Sequence, residues 1–160
     1  AVVRSSEFAE KIGIGQSGLS VAGSALISPL TDLTSYLALC GFDAKCEFGD
    51  ARLVPIIDCI APMFFTRLFD RGAELADLKT MAEEVDFPSV FINTSSDDFI
   101  HVESLKLATA LVAAGRDVEL HDWHTDKGQT LGHVFPVCMS WLDESQKVLR
   151  LMRDFAYAKL

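Results

Sequence analysis

Residues 88–136 constrain this chain more than any other stretch. Ser89-Val90-Phe91-Ile92-Asn93 is a short apolar run after Pro88, the pattern of a buried parallel strand. Asp97 and Asp98 follow at once, in what must be a loop at the carboxyl end of that strand. From Val102 to Ala114, residues Leu105, Ala108, Leu111 and Val112 recur at helical spacing, and Gly115 is placed to stop the helix. Asp117 to Trp123 alternates as a second strand. A polar loop, His124 to Gly132, then leads into His133-Val134-Phe135. The pattern is a βαβ unit with an acid after its first strand and a histidine after its second. Functional sites in open α/β sheets lie outside the carboxyl ends of the strands. One short unit thus brings an acid and a base to one edge, which points to nucleophilic catalysis by a triad. The question is then where the nucleophile sits.

Composition narrows the field. At 160 residues the chain can build one domain with a real core, and its 49% hydrophobic content suits a well-buried α/β protein. The net charge is −9, and the 14 Lys and Arg residues form no basic stripe. Nucleic acid is therefore not expected as a partner, nor is an anionic membrane surface. No apolar run approaches the roughly 18 residues of a transmembrane segment. The opening Ala1-Val2-Val3-Arg4-Ser5-Ser6-Glu7 has neither an initiator Met nor a signal pattern, and reads as the middle of something. A soluble protein of the cytoplasm or of an organelle interior is expected. Cys40, Cys46, Cys59 and Cys138 contain no C-x-x-C pair and have no accompanying His spacing, so zinc is not expected. Reduced thiols are the plain reading, with a Cys40–Cys46 clip the alternative.

Two glycine motifs near the start fail on context. Gly13-Ile14-Gly15-Gln16-Ser17-Gly18 matches G-x-G-x-x-G, but a strand over Val21–Ile27 follows it where the dinucleotide fingerprint requires a helix. Gly15-Gln16-Ser17-Gly18-Leu19 resembles a nucleophile elbow, yet its fifth residue is Leu and too few residues separate Ser17 from Pro29 for a helix and the next strand. Ser17 is read as part of a connecting loop. The strand over 21–27 ends at Ser28-Pro29-Leu30-Thr31-Asp32, where Pro29 stops the ladder. Residues 36–87 are irregular and partly helical, with Glu74–Val85 a short amphipathic helix. They could wall an apolar pocket at the carboxyl end of the sheet. Val134–Leu160 reads as one long helix with an apolar stripe of Val137, Trp141, Val148, Leu151, Met152, Phe155 and Ala156.

Four segments in order carry a family resemblance. They are Ile27-Ser28-Pro29-Leu30-Thr31-Asp32-Leu33, Pro88 through Asp98, Ala113-Ala114-Gly115-Arg116-Asp117-Val118-Glu119-Leu120-His121, and Gly132-His133-Val134-Phe135-Pro136. Together they resemble the C-terminal half of α/β-hydrolase-fold esterases of the hormone-sensitive-lipase type. The resemblance implies an α/β fold class: parallel strands with flanking helices, forming one partial α/β-hydrolase domain over residues 1–160, with the partly helical insertion at about 36–87. It also implies a serine carboxylesterase or lipase-like enzyme acting on small-molecule esters without a cofactor. Asp98, rather than Asp97, stands at the triad-acid position, and His133 at the triad-histidine position. Asp97 is expected to order the loop. His121 and His124 are expected at the surface or in packing, and His101 at a helix start with no catalytic role.

The chain departs from the family in what it lacks. The family's oxyanion-hole motif and its Gly-Asp-Ser-Ala-Gly elbow both precede the Ser-Pro-x-Thr-Asp segment, and only residues 1–27 stand before it here. The loop Thr125–Leu131 is also longer than usual. The nucleophile is thus expected on an N-terminal half outside this sequence, and a polypeptide carrying that half is the expected partner. The alternative is a non-catalytic half-fold used as a structural or interaction subunit.

Overall fold

The computed structural model describes residues 10, 18, 20–29, 78–125 and 128–160, with backbone only at 78–80. The loop glycines Gly13 and Gly15, Ser17, three of the four cysteines, Thr31 and Asp32, and most of the 36–87 insertion lie outside the described residues. Three parallel strands form the sheet: β1 (Gly23–Ile27), β2 (Ser89–Ser95) and β3 (Val118–Trp123), in that order. Ala25 pairs with Phe91 and Leu26 with Ile92 across β1 and β2, while Asn93 pairs with His121 across β2 and β3. The register brings the ends of all three strands to one edge, where Ser28, Asp98 and the loop after Trp123 meet.

The burial of β2 explains its sequence. From Val90 to Ser95 every residue is buried, which demands a run of Val, Phe and Ile instead of alternation with polar residues. Successive side chains leave opposite faces of a strand. Val90 and Ile92 therefore pack on one side, with Ala82, Leu107, Ala108 and Leu111 from α1 (Leu78–Glu84) and α2 (His101–Ala113). Phe91 packs on the other, with Leu131, Phe135, Val148 and Phe155 from the last loop and from α3 (Phe135–Cys138) and α4 (Asp143–Ala158). The result is a sheet between two helical layers. Gly23 of β1 permits the close approach of α4, because a Cβ there would stand 3.0 Å from the Phe155 ring. Gly115, at φ +72°, ends α2 as its spacing predicts, with its N–H bonded to the Val112 carbonyl.

Two expectations from periodicity need correction. The stretch after Val134 is two helices, not one. The break falls at Leu142, whose backbone is extended, and Asp143 and Glu144 then open α4 with acidic side chains at its positive end. Because of that break, Val137 and Trp141 leave the apolar stripe and are exposed, while Val148 and Phe155 keep their buried places. On α2 the buried face carries Glu103, Ser104, Leu107, Ala108 and Leu111, and Val112 points to solvent.

Urea unfolding provides a check on this layering. Phe91→Ala is expected to lose about 3–5 kcal/mol, as for a fully buried Phe, while Trp141→Ala is expected to change stability by less than ~0.5 kcal/mol. Comparable losses at both positions would contradict the two-helix arrangement.

Candidate functional site

The Asp98 carboxylate is buried at the carboxyl edge of the sheet, with its side chain only 1% exposed. A turn after β2 places it there: its N–H bonds to the Ser95 carbonyl, and its own carbonyl accepts the His101 N–H at the start of α2. The carboxylate Oδ1 accepts the Ile100 N–H at 3.0 Å, closing an Asx-type turn. His133 Nδ1 lies 3.1 Å from Oδ1 and 3.3 Å from Oδ2. The structure thus brings Asp98 and His133 together, although 35 positions separate them in sequence. Asp98 is acceptor-only when ionised, so Nδ1 carries the proton between them. Nε2 has no hydrogen-bond partner among the described residues, and the ring is partly open to solvent. Phe99 stacks at a tilt on the imidazole, with centroids 4.6 Å apart, and limits its rotation.

Two opposing effects set the acidity of Asp98. Burial raises its pKa. Against that, the hydrogen bonds from His133, from the Ile100 N–H and from the Ser28 hydroxyl, with the charge of His133, hold it below the ordinary carboxylate value of 3.8. The anion is therefore the resident form at neutral pH.

Asp97, its neighbour, faces elsewhere. Its Oδ2 accepts the Leu131 N–H at 3.0 Å and the Thr125 hydroxyl at 3.2 Å. Ser95 Oγ donates to the Leu131 carbonyl. Both ends of the loop that carries His133 are thereby tied to the end of β2, and the buried Leu131 peptide has both of its polar groups satisfied. The other histidines stand outside this pair. His101 opens α2 and bonds Asp122 at 2.9 Å, His124 bonds the other oxygen of Asp122 at 3.2 Å, and His121 bonds Glu119 and stacks on Phe91. Among the described residues, no group of three or more His, Cys, Asp or Glu is placed to hold a metal ion, and no helix is long and apolar enough to cross a membrane.

Sequence reasoning missed one contributor. Ser28 was legible as part of the Ser-Pro segment, but no role followed from it. The signal was positional, since Ser28 ends β1 beside the end of β2, on the edge that carries Asp98.

Solved structures show what scaffold this is. Esterase B from Lactobacillus rhamnosis, with a tributyrin phosphonate inhibitor, superposes with a TM-score of 0.71 at 19% identity, over 98% of this chain and 46% of that one. A hormone-sensitive lipase from a metagenome library gives 0.60 at 18% identity, over 99% and 50%. An esterase of Pyrobaculum calidifontis gives 0.61 at 16% identity, over 96% and 48%. The fold is that of an α/β-hydrolase. The chain spans about half the length of the structures it matches, in agreement with the C-terminal half expected from the order of its motifs. No family model matches the chain, and no curated protein does.

The lowered pKa of Asp98 predicts how stability responds to pH. A carboxylate with a depressed folded pKa stabilises the fold above its unfolded value, and that stabilisation is lost as pH falls through the folded pKa. Acid unfolding is therefore expected to steepen below about pH 4. Asp98→Asn is expected to be less stable at neutral pH and to show a flatter acid limb. An unchanged limb in a urea series from pH 7 to pH 2 would contradict the assignment.

Proposed function

We propose that this chain is a partial α/β-hydrolase domain that supplies the acid and base of a serine carboxylesterase, with the nucleophilic serine on an N-terminal half of the fold outside this sequence. The observation that carries the reading is the contact of a buried, ionised Asp98 with His133 Nδ1, with no partner at Nε2 among the described residues. It is supported by the fold shared with the esterases described above.

The chemistry follows from that geometry. Nε2 of His133 accepts the proton of the serine hydroxyl as the oxygen attacks the ester carbonyl carbon. The imidazolium that forms keeps its Nδ1–H on Asp98, whose negative charge stabilises it and fixes the tautomer. Nε2 then returns the proton to the departing alcohol as the acyl–enzyme forms. Water enters by the same route: His133 takes its proton as its oxygen attacks the acyl carbon, and the imidazolium gives that proton to the departing serine oxygen as the acyl–serine bond breaks, so the carboxylic acid leaves and the serine is restored. Neither Asp98 nor His133 has to move far, because the turn of Asp98 and the loop of His133 are both tied to the end of β2. No cofactor has a role in these steps. Substrates would be small-molecule esters, and the polypeptide that bears the serine would cover β1, an edge strand among the described residues.

A fluorophosphonate probe tests the reading on the protein assembled with its N-terminal half. The serine of that half is expected to take up the label, and His133→Ala is expected to abolish labelling. Asp98→Asn is expected to lower kcat by about 10⁴-fold, the scale on which losing the triad carboxylate acts. An assembled protein that takes no label, or a His133→Ala variant that labels normally, would overturn it and leave a half-fold used for assembly.

A further inference from the structure

The described residues include two non-glycine residues with positive φ, Ser28 at +49° and Val134 at +50°. A left-handed backbone is rare outside glycine and is a real outlier for a β-branched residue such as Val. Strain of this kind persists only where the surroundings hold it. Here the two strained residues hold each other, across 106 positions of sequence: the Val134 N–H donates to Ser28 Oγ at 3.1 Å.

The surroundings of Ser28 define what its hydroxyl does. The residue is buried, and its backbone N–H continues the β1–β2 ladder to the Asn93 carbonyl at 2.8 Å. Its oxygen accepts from the residue that follows His133. The same hydroxyl is among the groups that hold the Asp98 carboxyl below its ordinary pKa. One hydroxyl therefore ties the end of β1 to the peptide that follows the base, on the edge that carries the acid. The bends at Ser28 and Val134 make this possible. An extended residue at either place would carry the hydroxyl or the N–H away from the site.

We infer that Ser28 is a positioning residue for the Asp98–His133 pair, its hydroxyl taking the Val134 N–H and so tying the segment that carries His133 to the end of β1, beside Asp98. The assignment rests on the esterase reading only for its catalytic meaning; the contacts stand without it.

The test uses Ser28→Gly beside Ser28→Ala. Both remove the hydroxyl, and glycine accepts φ +49° without strain, so the first variant separates loss of the hydroxyl from failure to fold. The readout is the titration of the Asp98 carboxyl by carbon-13 NMR on the chain itself. In Ser28→Gly the Asp98 midpoint is expected to rise, because a donor to the anion is gone, and the Val134 amide is expected to lose protection from exchange. In the protein assembled with its N-terminal half, kcat is expected to fall about tenfold, the worth of one hydrogen bond to a charged group, with KM unchanged. An Asp98 midpoint that does not move in Ser28→Gly would overturn the inference. Because that titration needs no turnover, an assembled protein without esterase activity would overturn the functional reading and leave the role of Ser28 in place.

Discussion

A carboxylate taken out of water must find hydrogen bonds to replace it, and that requirement at Asp98 organises the carboxyl edge of the sheet. An uncompensated buried charge is among the most destabilising features a fold can carry. Asp98 meets the requirement from the turn that precedes α2 and the histidine after β3, and the hydroxyl of the serine that ends β1 also favours its anion. Each partner comes from a different segment, so the same contacts that satisfy the anion fix the three segments relative to one another. The arrangement that permits acid–base chemistry also makes burial of the acid tolerable.

The sheet delivers those segments. β2 lies between the other two strands and is buried on both faces, so its direction is set by packing on two sides at once. Phe91 on one face and Val90 with Ile92 on the other leave it no freedom to slip by one residue, since a slip would exchange the two cores. Asp97 and Ser95 extend that rigidity into the long loop after β3 through the Leu131 peptide. His133 is therefore held by its backbone, by Phe99 against its ring and by Asp98 at Nδ1.

Much of this was legible in the sequence, for identifiable reasons. A continuous apolar run, an acidic pair, a helical repeat ended by Gly115 and an alternating strand all have local causes, and the βαβ unit was read within a residue or two at each end. The acid–histidine contact followed from topology, because parallel strands bring their carboxyl ends together whatever the loop between them. The rest depended on tertiary geometry. Periodicity runs on through residues 139–142, and nothing there resembles a helix breaker; the only local sign was the acidic pair Asp143-Glu144, a mark of a helix start that the apolar stripe obscured. Val112 has helical spacing but falls outside the arc that the sheet covers. The role of Ser28 rests on a left-handed backbone at a strand end, which a Ser-Pro pair does not announce.

The most direct test of the account is the tautomer of His133, read by nitrogen-15 NMR of its imidazole at neutral pH. A base held by Asp98 and ready to accept a proton carries its own proton on Nδ1 and a bare Nε2. The account predicts that state, with loss of the preference in Asp98→Asn. A ring protonated on Nε2 with Nδ1 bare would contradict it, because a nitrogen that already holds a proton cannot take one from a serine.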